Sequence, residues 1–125
     1  MNRVIELDIA GKAYPLNFSV KAARTIDEKY GGIEKMAESF ENEGVGKIMS
    51  VLSDVTHLLM EQGAAYERLI NEKEIEVPSA DDLEIMLGMQ DFKVLQETLF
   101  KAMGIGAAPT VEVEPEKKGK AAQGK

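Results

Sequence analysis

The spacing of the apolar residues changes abruptly at Ser19, and this change constrains the fold more than any other feature. Before Ser19, apolar and polar residues alternate through residues 5–9 and again through 14–18, on either side of a turn that contains Gly11. Such alternation around a glycine-containing turn predicts a β-hairpin. After Ser19, apolar residues recur every three or four positions, which is the spacing of one helix face.

The helical spacing continues almost to residue 104 and predicts helices over residues 20–30, 33–43, 45–62, 64–72, 79–87 and 92–103. Ser19 and Ser79 are suitable N-caps, because their hydroxyls can accept from free amides of the first turn. Gly63 either ends the longest helix or only bends it. Residues 74–77 alternate and fit a third strand or a linker, and the linker is the preferred interpretation.

These patterns predict an α+β fold that is mainly α. An isolated hairpin is marginally stable in water, so the N-terminal hairpin is expected to pack on a small bundle of about five helices. Residues 1–104 are predicted to form this one domain. Residues 105–125 contain two prolines, three glycines and few large apolar side chains, a composition that predicts a disordered, charged tail.

Composition excludes several classes of function. The chain lacks cysteine, so it has no disulfide and no thiolate chemistry. The net charge is −7, which disfavours nucleic-acid binding, since a phosphate backbone attracts basic surfaces. No apolar run approaches the roughly 20 residues that a membrane-spanning helix needs, and the chain starts without a signal-peptide pattern. A cytoplasmic protein without membrane or nucleic-acid partners is expected.

No catalytic or cofactor motif is found. His57 is the only histidine and is interpreted as a surface side chain. The glycines and lysine of residues 44–47 resemble part of a phosphate-binding loop, but the spacing and the residue after the lysine do not fit that motif. Acidic residues such as Asp81 and Asp82 fall in the first turn of a helix, where its dipole favours them. We therefore predict a protein that is not an enzyme and holds no cofactor or metal.

The methionines suggest a binding surface. Six of the seven lie in or beside predicted helices, and flexible, polarizable methionine suits surfaces that accept varied apolar partners. Packing in the core is the simpler interpretation for most of them, because they lie on the apolar faces. The candidate surface for binding another protein comprises Met36, Phe40, Met49, Met60, Met86, Met89 and Met103.

The first quarter of the chain resembles a known family. An alternating strand leads to Gly11-Lys12, then to Tyr14, Leu16 and Phe18, a short helix, and the residues Ile26-Asp27, Lys29, Tyr30 and Gly31. This order resembles the tail assembly chaperones of long-tailed phages and prophages, mainly those of Gram-positive hosts. The remaining chain is similar in kind, with a helical body and a charged end.

The resemblance implies a chaperone that binds the tape-measure protein and helps bring tail-tube subunits to it in the host cytoplasm. In many such phages a programmed frameshift near the end of the reading frame gives a second, longer product. Consecutive lysine codons can supply the slippery heptamer, so Glu116, Lys117 and Lys118 mark the candidate frameshift region. The sequence leaves the oligomeric state undetermined.

Two other functions remain open at this stage. One is a structural head–tail or tail-completion protein that stays in the particle. The other is an acidic inhibitor that mimics DNA, which needs carboxylates at phosphate-like spacing on one face. Against the second, lysines such as Lys29, Lys35 and Lys47 are interspersed among the acids.

Overall fold

The N-terminal hairpin is present as predicted. The computed structural model describes residues 4–104, and it begins with the antiparallel strands β1 (Ile5–Ile9) and β2 (Lys12–Leu16). Ala10 and Gly11 form the two-residue turn, both with positive φ, 52° and 80°. Glycine adopts this backbone conformation without steric cost, which explains its position in the turn. The predicted tail, residues 105–125, lies outside the described residues.

Five helices follow, which confirms a mainly α protein. They are α1 (Val20–Tyr30), α2 (Ile33–Asn42), α3 (Val45–Asn71), α4 (Ala80–Met86) and α5 (Phe92–Met103), with a 3-10 turn at Met89–Asp91 before α5. None of the helices within residues 4–104 is both long and apolar enough to cross a bilayer.

The predicted helix ends are also found. Ser19 and Ser79 cap α1 and α4, each accepting a hydrogen bond from the amide three residues later, at 3.0 and 3.1 Å. Gly31 and Gly104 end α1 and α5 in the left-handed conformation, which glycine tolerates best. The segment at 74–77 is not a strand in the structure, so the linker interpretation is confirmed.

The longest helix does not end at Gly63. α3 is 27 residues long and continues through Gly63, so the two helices predicted at 45–62 and 64–72 form a single helix. Gly63 is buried, and β2 crosses α3 at this point, with the Pro15 carbonyl directly over the glycine. A glycine is therefore required here for close approach of two backbones and does not interrupt the helix.

Hydrogen bonds fix the end of the hairpin to α3. The Asn17 amide donates to the Leu59 carbonyl at 3.1 Å, and its side chain donates to the Gln62 carbonyl at 3.4 Å. The Ser19 hydroxyl donates to the Gln62 side-chain oxygen. These contacts hold the apolar face of the hairpin on the helices, where Leu7, Ile9, Tyr14 and Leu16 are buried.

One apolar cluster joins the hairpin to the helices. α3 supplies its centre and contacts β2, α1, α4 and α5. The buried helical side chains in this cluster are Ala22, Ile26, Met36, Val51, Leu52, Val55, Leu59, Met60, Leu83, Leu95, Leu99 and Met103. The hairpin thus covers one part of the bundle, and α4 and α5 cover another.

Candidate functional site

Three of the seven candidate partner-binding residues are in the core. Met36, Met60 and Met103 are buried on the faces of α2, α3 and α5 that meet other elements. A partner cannot reach these side chains in the folded protein, so their assignment to a binding surface is wrong. Core packing, the simpler interpretation of the methionines, is what the structure shows for these three.

Two further candidates are engaged within the fold. Phe40 of α2 stacks on Phe100 of α5, with the ring centres 5.6 Å apart and the planes inclined by 20°. Such a pair joins the two helices, and both rings are half-buried. Met86, the last residue of α4, is half-buried against the core.

The remaining two candidates, Met49 and Met89, line one open groove. The groove has a volume of about 420 Å³ and lies between the first part of α3 and the corner where α4 leads into α5. We call it the Met89 groove. It is lined by Gly46, Met49, Ser50, Ser53, Glu84, Leu87, Met89 and Phe92.

Helical spacing explains the α3 wall of the Met89 groove. Gly46, Met49, Ser50 and Ser53 lie at positions i, i+3, i+4 and i+7, which share one helix face. No atom lies within 4 Å of the position that a Cβ on Gly46 would occupy, so the backbone there is open to a partner.

The opposite wall of the groove comes from irregular chain. α4 ends at Met86 because Leu87 adopts an extended conformation, with φ −87° and ψ 136°. Leu87 and Met89 then turn the chain before Phe92 begins α5. Met89 is 64% exposed, which is high for an apolar side chain beside other apolar side chains.

The chemistry of the Met89 groove suits an apolar ligand. Its large side chains are Met49, Leu87, Met89 and Phe92, and its single charged residue is Glu84. Ser53 is fully buried, and its hydroxyl has no hydrogen-bond partner among the described residues. A helix that presents apolar side chains at successive turns is the natural occupant of such a surface.

Leu87 and Phe92 are groove residues that the sequence did not identify. Both were assigned to apolar helix faces, because spacing along the chain cannot distinguish a face that packs inside from one that stays open. The glycine at 88, which follows Leu87, was the available signal that the chain turns there. Leu87 and Phe92 are half-buried, packed on the core beside the groove.

A second, polar pocket of about 200 Å³ lies between α1 and α3. Lys29 Nζ is 3.6 Å from Asp54 Oδ2, and His57 Nε2 is 3.7 Å from Glu61 Oε2. His57 has only 22% of its side chain exposed, so it is more buried than predicted. The Lys29–Asp54 pair joins α1 to α3, whereas the His57–Glu61 contact lies within α3. Surface pairs of this kind are weak.

Tyr30 completes the polar pocket. Its hydroxyl is buried and has no hydrogen-bond partner within residues 4–104. Burial raises the pKa of the Tyr30 phenol above its ordinary value of 10.0, and the negative charge of Asp54 raises it further. The phenol is therefore protonated at neutral pH and serves as a packing group.

Comparisons with known proteins gave no relatives for this chain. No family model matches it, and neither does any curated protein or solved structure. Among the described residues, no group of three or more His, Cys, Asp or Glu side chains is arranged to hold a metal ion.

Proposed function

We propose that this protein is a tail assembly chaperone of a long-tailed phage or prophage. In this function it binds the tape-measure protein in the host cytoplasm and helps bring tail-tube subunits to it. The resemblance of residues 11–31 to this family supports the proposal. The observation that carries it in the structure is the open, apolar Met89 groove on a helical protein.

The client's chemistry fits the groove. A tape-measure protein has long apolar helical stretches, and these remain exposed until the tube surrounds them. Exposed apolar surface of this kind leads to aggregation. The Met89 groove offers Met49 and Met89, whose flexible side chains can adapt to different helical segments of one client.

Charge supports the same function. The net charge is −7, and several copies bound along one client would repel one another and other coated clients. Such repulsion keeps the assembly in solution. Release must follow when the tube forms, so we expect each copy to bind with modest affinity.

The test is a solubility assay on co-expressed proteins. A tape-measure fragment with apolar helical repeats is expected to be insoluble alone and soluble with the wild-type chain. Met89→Glu places a charge in the groove and should reduce the soluble fraction of the fragment several-fold. Leu69→Glu is the matched control, because Leu69 is also exposed, at 73%, but lies on α3 outside the groove.

The outcomes of the solubility assay test the chaperone function and the role of the Met89 groove separately. A fragment that stays insoluble with the wild-type chain contradicts the chaperone function. A fragment that both variants keep soluble equally well shows that the Met89 groove is not the client site. Mass spectrometry of purified particles addresses the structural alternative, since a chaperone is absent from the mature virion.

The frameshift belongs to the same proposal. Glu116, Lys117 and Lys118, its candidate region, lie outside the described residues. Reading the nucleotides of these codons tests it directly, and codons without a slippery heptamer would end this part of the proposal. The groove and its assay do not depend on that result.

A further inference from the structure

Within residues 4–104, no strand pairs with the outer edge of β1. The sheet within residues 4–104 has only two strands, and β2 is the strand that packs on α3. Glu6 and Asp8 of β1 are exposed, whereas Leu7 and Ile9 between and after them are buried. An exposed edge strand is a template for a further strand.

The register of the hairpin determines which backbone groups face outward. With a two-residue turn, the flanking pair Ile9–Lys12 is hydrogen-bonded, and such pairs alternate along the ladder. Glu6 and Asp8 therefore point their N–H and C=O groups away from β2. Pro15 agrees with this register, because it lies opposite Glu6, where no amide is needed.

A cavity of about 140 Å³, lined by apolar and acidic residues, lies beside this edge, and we call it the edge cavity. β1 and its turn contribute Leu7, Asp8, Ile9 and Ala10. The chain between α4 and α5 and the first turn of α5 contribute Leu87, Asp91, Val94 and Leu95. No residue of β2 lines it, which places it on the open side of β1. Val94 is 59% exposed, so a strand added to β1 would cover an apolar side chain.

The charges of β1 decide what can pair with it. A strand that pairs with the outer edge of β1 must bond to the outward N–H and C=O groups of Glu6 and Asp8. The residues opposite Glu6 and Asp8 must therefore turn their own N–H and C=O groups towards β1. A second copy of β1 paired antiparallel along its full length would then put Glu6 of each copy opposite Asp8 of the other. Directly opposed like charges destabilise a strand pair, so the edge discriminates against a copy of itself.

We propose that the outer edge of β1 binds an extended segment of another protein, in which basic residues alternate with apolar ones, as an antiparallel third strand. Two lysines or arginines would lie opposite Glu6 and Asp8. The apolar residue between them would face the helices at the edge cavity, near Leu87 and Val94. Main-chain hydrogen bonds give the affinity, and the alternating side chains give the specificity.

This proposal goes beyond the chaperone function and does not rest on it. The Met89 groove accepts a helix, whereas the β1 edge accepts a strand. The basic partner also differs from the apolar client that the groove requires.

The first experiment uses the full chain, labelled with ¹⁵N, and a short capped peptide in which lysine and valine alternate. Binding should slow hydrogen exchange of the Glu6 and Asp8 amides by about tenfold or more, since they then donate to the peptide. A peptide in which glutamate and valine alternate is the control and should give no protection. Protection by both peptides, or by neither, would overturn the proposal.

Methylated peptides test the strand geometry. In an antiparallel pair the lysine amides point towards β1 and the valine amides point away. N-methylation of the lysine amides should abolish binding, while methylation of the valine amides should leave it within about threefold. Equal effects of the two modifications would rule out strand addition.

A charge-reversed protein tests the specificity. Glu6→Lys with Asp8→Lys changes two exposed side chains and should switch the preference from the lysine peptide to the glutamate peptide. Leu69→Glu is the control, because Leu69 is exposed and lines neither cavity, and this variant should bind the lysine peptide like the wild-type chain. Retention of the lysine preference by the double variant would contradict the assigned role of the two acids.

Discussion

Gly63→Ala is expected to destabilise the protein, although alanine is the better helix former. In an unhindered helix this replacement gains about 1 kcal/mol. On Gly63, however, the new methyl group would lie 2.5 Å from the Pro15 carbonyl carbon and 3.1 Å from the Leu16 nitrogen. The Pro15 carbonyl oxygen would be nearer still. An ordinary contact needs at least 3.4 Å, so β2 and α3 must separate by more than 1 Å.

The magnitude follows from the contacts that this separation disturbs. Overpacking of a well-packed site costs about 1–3 kcal/mol. Lengthening the bond from the Asn17 amide to the Leu59 carbonyl, which is 3.1 Å, costs about 1 kcal/mol more. After subtraction of the gain in helix propensity, the free energy of unfolding should fall by about 1–3 kcal/mol.

Gly46→Ala is the matched control in the same helix. A methyl group on Gly46 meets no atom within 4 Å, so the helix propensity acts alone and should raise the free energy of unfolding by about 0.5–1 kcal/mol. Urea denaturation of both variants, followed by circular dichroism, measures the two effects. A Gly63→Ala variant as stable as Gly46→Ala would refute the close approach of β2 to α3.

Three other substitutions test single groups. Ser53→Ala removes a buried hydroxyl that lacks a partner among the described residues, and should raise the free energy of unfolding in urea by about 1 kcal/mol. Tyr30→Phe should leave stability at pH 7 unchanged or slightly higher. Because the folded state holds the Tyr30 proton more tightly, the unfolded chain ionises first, so wild-type stability should fall as pH rises above 10.0, the ordinary pKa of a tyrosine phenol. The phenylalanine variant should lose that part of the fall in alkaline thermal melts. Ser79→Ala removes the cap of α4, whose hydroxyl accepts from the Asp82 amide at 3.1 Å, and should cost about 1 kcal/mol in the same assay.

Local patterns were sufficient to predict most of the fold. The change in apolar spacing at Ser19 predicts the hairpin and α1. Side chains alternate between the two faces of a strand and return to one helix face every three or four residues, so this spacing depends only on local sequence. The ends at Gly31 and Gly104 were predictable for a similar reason. Each takes the left-handed conformation, with φ 85° and 78°, which glycine adopts most easily.

Contacts between distant segments could not be predicted in this way. The continuity of α3 through Gly63 depends on β2, which is more than 40 residues earlier in the chain. Helical spacing placed Met36 and Met49 on apolar faces but could not show which faces are covered, and Met89 lies between two predicted helices. Only the packing of α4 and α5 against α3 shows that Met89 stays open.

α3 carries a consequence for how the protein unfolds. The hairpin and the α4–α5 pair both pack on this single helix, which spans about 40 Å at 1.5 Å per residue. Within residues 4–104, α3 is the element that both contact most extensively, so loss of α3 would release both at once. The slowest-exchanging amides of β2 and α5 should therefore report the same opening free energy, as expected of one cooperative unit.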